Sequence, residues 1–386
     1  MSVPPEPTLT LGIEEEYLLV DQQTRDLVRE QPAGLMDACT KELGDRVTVE
    51  LLQSQIEVGT DVCTSVGEAR AELENMRRCI ADVADQFGLA PIAASTHPFA
   101  KWSDQVHTHK DRYHDLIRDL GATAQRMVIC GMHVHAGIED QDLRIDLMNQ
   151  VSYFLPHLLA LSTSSPFWQG TDMELMSYRT VIFSSLPRTG LPERFGSWSE
   201  YQRFVGQLIS AGVIDEPTKI WWDVRPSGRF PTLEMRAADM CTRIEDTASV
   251  AAMYQCLLRY LYRLRRDNQI WRRYPLPLID ENRWRAMRYG ADGSLIDFGK
   301  GETVAFAHLV DEMIYELRED ADALDCRAEL EHAREIVRRG TGAQRQLHVH
   351  SAAIAAGADE EEALRDVVDD LIIQTLDFED STHTSA

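Results

Sequence analysis

The sequence predicts an α+β fold, with strands gathered in the first 240 or so residues and helices dominating from about residue 244, in one domain spanning residues 1–386 with a frayed tail at 381–386. Three observations lead there. The segment Leu9–Val20 alternates apolar and polar residues with the period of a strand. Met127–Ile138 and Thr232–Arg236 alternate in the same way. From Ile244 onward the apolar spacing changes to three and four residues, over Thr247–Arg266, Thr303–Arg318, Ala321–Arg339 and Glu360–Leu376.

The totals narrow the function classes. A chain of 386 residues with 44% hydrophobic content can bury a large core. A formal net charge of −24 repels a nucleic-acid backbone and an anionic membrane over most of the surface, so neither is expected as a partner. The seven cysteines are scattered with no CxxC pair, which suits a reducing cytoplasm. Met1–Thr8 is proline-rich without a basic start, and no apolar run approaches the roughly 20 residues that span a bilayer. A cytoplasmic location is therefore expected.

The first strand carries Gly12-Ile13-Glu14-Glu15-Glu16-Tyr17. Taking every second residue places Leu9, Leu11, Ile13, Tyr17 and Leu19 on one face, and Thr10, Gly12, Glu14, Glu16 and Leu18 on the other. Glu14 and Glu16 thus point the same way, roughly 6 to 7 Å apart, where like charges repel unless a cation lies between them. Glu15 falls on the apolar side. A helix is expected around Pro32–Leu43, then an extended stretch Val47–Val58 holding Glu50 and Glu57. These two are an odd number of residues apart, so an unbroken strand would send them to opposite faces. Both can serve one site only if a bulge or turn intervenes.

Ser65 with Glu68 reads as a capping box before a helix packing Val66, Ala69, Leu73, Met76, Ile80, Val83 and Phe87, which Gly88 ends. Leu89–Thr96 is a strand leading into His97-Pro98-Phe99, and Asp111–Gln125 a helix. In Met127–Ile138, Val128, Cys130, Met132, Val134 and Ala136 form an apolar face opposite Ile129, Gly131, His133 and His135. Two histidines on one face favour a ligand or substrate role. A helix over Arg144–Ser162, kinked at Pro156, precedes a loop-rich stretch to Arg188 in which Arg179 is an anion-binding candidate. After a helix at Trp198–Ala211, Ile220–Asp239 contains Trp222-Asp223-Val224-Arg225-Pro226 and places Glu234 and Arg236 opposite Leu233, Met235 and Ala237. His348-Val349-His350 reads as an exposed helix terminus.

Three separate strands therefore show Glu and Glu, His and His, and Glu and Arg on their non-apolar faces. One sheet would need this if that face lined a metal and phosphate site. Carboxylates with an imidazole favour Mg²⁺ or Mn²⁺, and arginines beside them neutralise a phosphoryl group in transit. No GxxxxGK[ST] run is present, so a nucleotide would be held by metal and arginine. Two other readings stay open: a zinc hydrolase built on His133 and His135, and a binding module that keeps a metal–nucleotide site without turnover.

With those residues assembled, the chain resembles the carboxylate-amine ligases of the type-2 glutamate-cysteine ligase family. The resemblance rests on Gly12-Ile13-Glu14-Glu15-Glu16, Glu57-Val58-Gly59-Thr60-Asp61-Val62-Cys63, Thr96-His97-Pro98-Phe99, Gly131-Met132-His133-Val134-His135-Ala136-Gly137, Trp222-Asp223-Val224-Arg225-Pro226-Ser227 and Glu234-Met235-Arg236. It implies a glutamine-synthetase-like catalytic fold, a curved, mostly antiparallel sheet with helices on one face and the active site on the other. It implies ATP as co-substrate, two or more Mg²⁺ or Mn²⁺ ions, and amide formation through an acyl phosphate, from a glutamate-like carboxylate and an amine such as cysteine. Glu14, with His133 and Glu234, resembles one metal site, and Glu16, with Glu50 and Glu57, another. Arg236 resembles the arginine that stabilises the phosphoryl group, and Arg225 a phosphate or carboxylate partner. His135 and Arg179 join them as candidates for substrate or nucleotide binding. No general base for the amine stands out, and a homodimer is the candidate assembly.

Overall fold

In the computed structural model, which describes residues 4–378, seven strands form one sheet. They are β1 (Leu11–Asp21), β2 (Val47–Val49), β3 (Gln55–Gly59), β4 (Leu89–Ile92), β5 (Met132–Gly137), β6 (Val224–Pro226) and β7 (Thr232–Met235). The order is β6-β7-β5-β1-β3-β2, and every pairing is antiparallel. β1 is the axis. It takes β3 along one edge through Glu14–Leu18, and β5 and then β4 along the other. Leu18 lies between Gln55 and Ile92.

The strand parity is as expected. Leu11, Ile13 and Tyr17 are buried against helices, whereas Glu14 and Glu16 keep partial exposure on the opposite face. Two long helices support the buried face. Val66–Asp85 is capped by the Ser65 hydroxyl, which accepts the Glu68 N–H at 3.1 Å. Only half of the capping box forms, because the Glu68 carboxylate turns to the Thr64 N–H and hydroxyl instead. Ile244–Arg266 crosses beneath the sheet and is tied to it by Tyr254, whose hydroxyl donates to the Leu233 carbonyl, and by Gln255, whose amide donates to the Leu9 carbonyl. An antiparallel sheet with helices on one face and acidic clusters on the other is the glutamine-synthetase-like architecture the resemblance implies.

Several elements differ from expectation for local reasons. The stretch Val47–Val58 reverses at residues 50–54 into β2 and β3, with Leu52 bridging to His107. The helix over 111–125 stops at Leu120, since Gly121 at φ +58° turns the chain before a short turn of helix at Ala122–Gln125. The helix expected over 144–162 is two, Gln141–Val151 and Leu155–Ser162, with Pro156 in the first turn of the second rather than at a kink. Thr303–Ala305 belongs to a hairpin, so the following helix is Phe306–Ala323. Asp325, at φ +51°, separates it from Arg327–Glu331 and Ala333–Arg339. Leu276–Tyr289 and Gly342–Ala355 are helices that the sequence reading passed over. His348 and His350 lie inside the latter, not at a terminus, and the His350 ring packs on Phe167 and bonds Glu360. The tail 381–386, expected to fray, lies outside the described residues. Among the described residues no helix is long and apolar enough to cross a membrane.

Candidate metal and phosphate site

Strand register builds the site. Glu16 on β1 stands directly opposite Glu57 on β3, so two like charges face each other across one antiparallel pair. The reversal after Val49 brings Glu50 to the same place, which removes the parity conflict. Ligand oxygens of Glu16, Glu50 and Glu57 all lie within 4.8 Å of one another. Burial, then the Glu50 charge, pushes the Glu16 carboxyl up to about 8, and burial and Glu50 likewise hold Glu57 well above the ordinary carboxylate range. Three half-buried carboxylates in that space cannot all be ionised without a cation. The donor set fits a hard divalent ion.

On the other side of β1, Glu14 pairs with His133 and Gly12 with His135 on β5, while His135 in turn pairs with Glu234 on β7. Glu14, His135 and Glu234 present ligand atoms within 4.8 Å of one another. Here the structure departs from expectation. His135, expected at substrate, sits among these carboxylates because it is the histidine placed directly across from Glu234. His133, expected as the ligand, has its Nδ1 3.0 Å from Glu14 and 3.4 Å from the Arg236 guanidinium. His135 is oriented by Thr232, whose hydroxyl meets Nδ1 at 2.9 Å, and its buried Nε2 faces Glu14 Oε1 at 3.4 Å. An imidazole so held, its Nε2 turned to the Glu14 carboxylate beside Glu234, fits a metal ligand.

Electrostatics separates the two clusters. Burial works to raise the Glu14 carboxyl, but hydrogen bonds to His133 and His135 outweigh it and hold it well below the ordinary range. Burial opposes ionisation of Glu234 too, yet Arg236 and Arg225 keep it strongly depressed. Burial and Arg236 lower His133 to about 4, so it is neutral at pH 7, whereas His135, with Glu14 and Glu234 beside it, is raised despite burial. One cluster is thus balanced by cationic side chains, and the other is not.

The arginines differ in how much they have left to give. Arg225 spends itself on the protein: Nε and Nη2 bond both oxygens of Glu234 at 2.8 and 3.0 Å, and Nη1 bonds the carbonyls of Thr218 and Ile220. It holds Glu234 in place rather than standing ready for an anion, as the sequence reading had it. Arg236 bonds Glu234 through Nη1 at 2.5 Å, and its buried Nε has no hydrogen-bond partner among the described residues. It feels the charges of Glu234, Glu14 and Glu16, and so lies between the two clusters. Arg179, expected as an anion-binding candidate in a loop-rich stretch, is buried in the short helix Tyr178–Phe183, and among the described residues its Nε also lacks a hydrogen-bond partner.

Two residues, Arg77 and Asp239, escaped the sequence reading. Glu15 is buried beneath the sheet, where Arg77 bonds both its oxygens at 2.9 and 2.7 Å and the hydroxyls of Tyr17 and Thr247 add two more bonds. Arg77 lies four residues after Leu73 and three before Ile80, on the apolar stripe of its helix, and a charge there was the available signal. Asp239 is fully buried beside Arg179, and nothing in its local pattern marked it.

Residues 10–370 match the model of glutamate-cysteine ligase family 2. A curated relative from Rhodospirillum rubrum is 60% identical over 96% of both chains, and one from Paracoccus denitrificans is 52% identical over 95% of this chain and 97% of its own; each is named "Putative glutamate--cysteine ligase 2". Among solved structures, a glutamate–cysteine ligase from Francisella tularensis in complex with AMP superposes with a TM-score of 0.67 at 14% identity, covering 96% of this chain and 89% of that one. A bifunctional glutathione synthetase from Pasteurella multocida gives 0.66 at 14% identity, over 95% of this chain and 52% of that one. At such identity the structural likeness concerns the fold.

Proposed function

The chain belongs to glutamate-cysteine ligase family 2, and from that premise we propose that it joins a glutamate-like carboxylate to an amine such as cysteine, using ATP, through an acyl phosphate. The observation that carries this reading is the pair of carboxylate clusters, Glu16-Glu50-Glu57 and Glu14-His135-Glu234, on one sheet face with Arg236 between them. A phosphoryl group in transit carries charge on several oxygens, and catalysis of its transfer is chiefly positioning and charge neutralisation.

In this reading Glu16, Glu50 and Glu57 hold one Mg²⁺ or Mn²⁺, and Glu14, His135 and Glu234 another. Bound there, such a cation supplies Lewis-acid charge to phosphate oxygens. Arg236 donates toward the transferring group through its free Nε. Arg225 fixes Glu234, and neutral His133 donates its Nδ1–H to Glu14, so the open face is preset before substrate arrives. Residues 1–386 act as one catalytic domain, a view supported by Thr247 of the C-terminal half bonding Glu15 beneath the sheet. An oxygen-rich donor set with a single histidine also favours these ions over a two-histidine zinc centre.

The test is ADP release from ATP across carboxylate and amine pairs, beginning with glutamate and cysteine, in Mg²⁺ and in Mn²⁺. Turnover that disappears in a folded Glu16→Gln variant is the expected result. No ADP with any pair, under either metal, overturns the proposal.

A further inference from the structure

We propose that Asp239 is a positioning residue that aims Arg179 at the terminal phosphoryl group of a bound nucleoside triphosphate, with Gly131 as the floor on which the guanidinium rests. This rests on the ligase reading above and assigns that site a second phosphoryl-facing arginine. A Cβ on Gly131 would come within 2.3 Å of Arg179 Nη2 and 3.0 Å of its Cζ, so the guanidinium lies against bare backbone that only glycine provides. The N–H of Gly131 donates to the Glu16 carboxylate at 2.7 Å. Arg179 is therefore one residue's thickness from the unbalanced carboxylate cluster.

Its own bonding is thin for a group only 4% exposed. Nη2 reaches the Arg236 carbonyl at 3.4 Å, Nη1 faces Asp239 at 4.0 Å, and Nε has no partner among the described residues. A buried guanidinium with unused donors is costly unless an anion completes it. Arg225, held by four hydrogen bonds, shows what a saturated arginine looks like in this fold. Asp239 is the hub that fixes the geometry. Its Oδ2 accepts the Ser164 N–H and the Ser165 hydroxyl, and its Oδ1 accepts the Ser177 hydroxyl. Ser165 Oγ also accepts the backbone N–H of Arg179, so both ends of that residue answer to one carboxylate. Arg236 and Arg179 both act on Glu16, so two planar forks lie beside the carboxylate cluster, which suits phosphoryl oxygens bridged to a divalent ion.

Asp239→Asn tests this with little change in shape. The amide oxygen retains the Ser164 N–H and the Ser165 hydroxyl, and Ser177, which also pairs with Thr180 at 2.7 Å, can turn its proton away and accept from the amide. Only the charge facing Arg179 is lost. Calorimetry on the full chain with Mg²⁺ compares a non-hydrolysable ATP analogue with ADP. We expect triphosphate binding to weaken about tenfold, or about 1.4 kcal/mol, with ADP binding unchanged. If Asp239→Asn does not fold, Arg179→Gln and Arg179→Lys replace it, lysine restoring part of the triphosphate preference that glutamine removes. Equal loss on both nucleotides, or no loss on either, overturns the assignment. So does a raised KM for the carboxylate substrate with the triphosphate preference intact, which would place that carboxylate on Arg179. A wild type that binds neither nucleotide instead brings down the ligase reading itself, and the assignment with it.

Discussion

Replacing Arg77 by methionine removes a guanidinium that bonds Glu15 twice and the carbonyls of Thr242, Cys241 and Thr375 once each. Both charged side chains have 0% exposure, so no water can take over. Stripping one partner from a buried ion pair costs about 3–5 kcal/mol, because the remaining carboxylate is stranded. Each orphaned carbonyl adds about 1 kcal/mol, less than additively since all three share one site. A loss of at least about 4 kcal/mol is therefore expected, a large share of the ~5–15 kcal/mol that a folded protein has. Urea unfolding followed by tryptophan fluorescence measures it as a drop in midpoint at constant slope. The mechanism makes a second demand: Glu15→Gln in the Arg77→Met background should recover about 2 kcal/mol or more, because a neutral amide is far cheaper to bury than a stranded charge. A loss under about 1 kcal/mol for Arg77→Met, or a double variant no steadier than the single one, refutes the reasoning.

Other expectations concern the site. Glu50→Gln should reduce ADP formation about as severely as Glu57→Gln, on the order of 100-fold or more, since the turn places both at one ion; steady-state kinetics with a Mg²⁺ titration compares them, and near-normal turnover in Glu50→Gln would remove it from the metal site. Arg225→Lys keeps the charge but not the two-pronged grip on Glu234, and should cost about 10-fold or more in kcat/KM, checked by the same assay. The Glu16 carboxyl, raised from about 4.5 to about 8 by burial and Glu50, gives the metal-free protein a proton that the unfolded chain has already lost. Its contribution is complete below about pH 4.5 and declines as pH rises to about 8, so melting temperature in EDTA should fall across that window. Saturating Mg²⁺ should flatten this slope; identical profiles with and without metal would contradict it.

Period-two alternation in three short segments was enough to separate Glu14 and Glu16 from Glu15, and to set His133, His135, Glu234 and Arg236 on one face. That much is local: the parity of a strand fixes which side of a sheet each side chain takes, whatever the strand pairs with. The odd spacing of Glu50 and Glu57 made a shared site conditional on an interruption of the chain between them. What the sequence could not supply was register and reversal. Whether His133 or His135 joins Glu14 and Glu234 depends on which of them β7 lies across, and that pairing links residues about 100 positions apart. The burial of Arg77 under Glu15, the saturation of Arg225 and the seating of Arg179 on Gly131 depend likewise on contacts between distant segments, whose partners leave no mark in the local pattern. Tertiary packing decided them, because a charge's role is set by the groups that surround it after folding rather than by its neighbours in the chain.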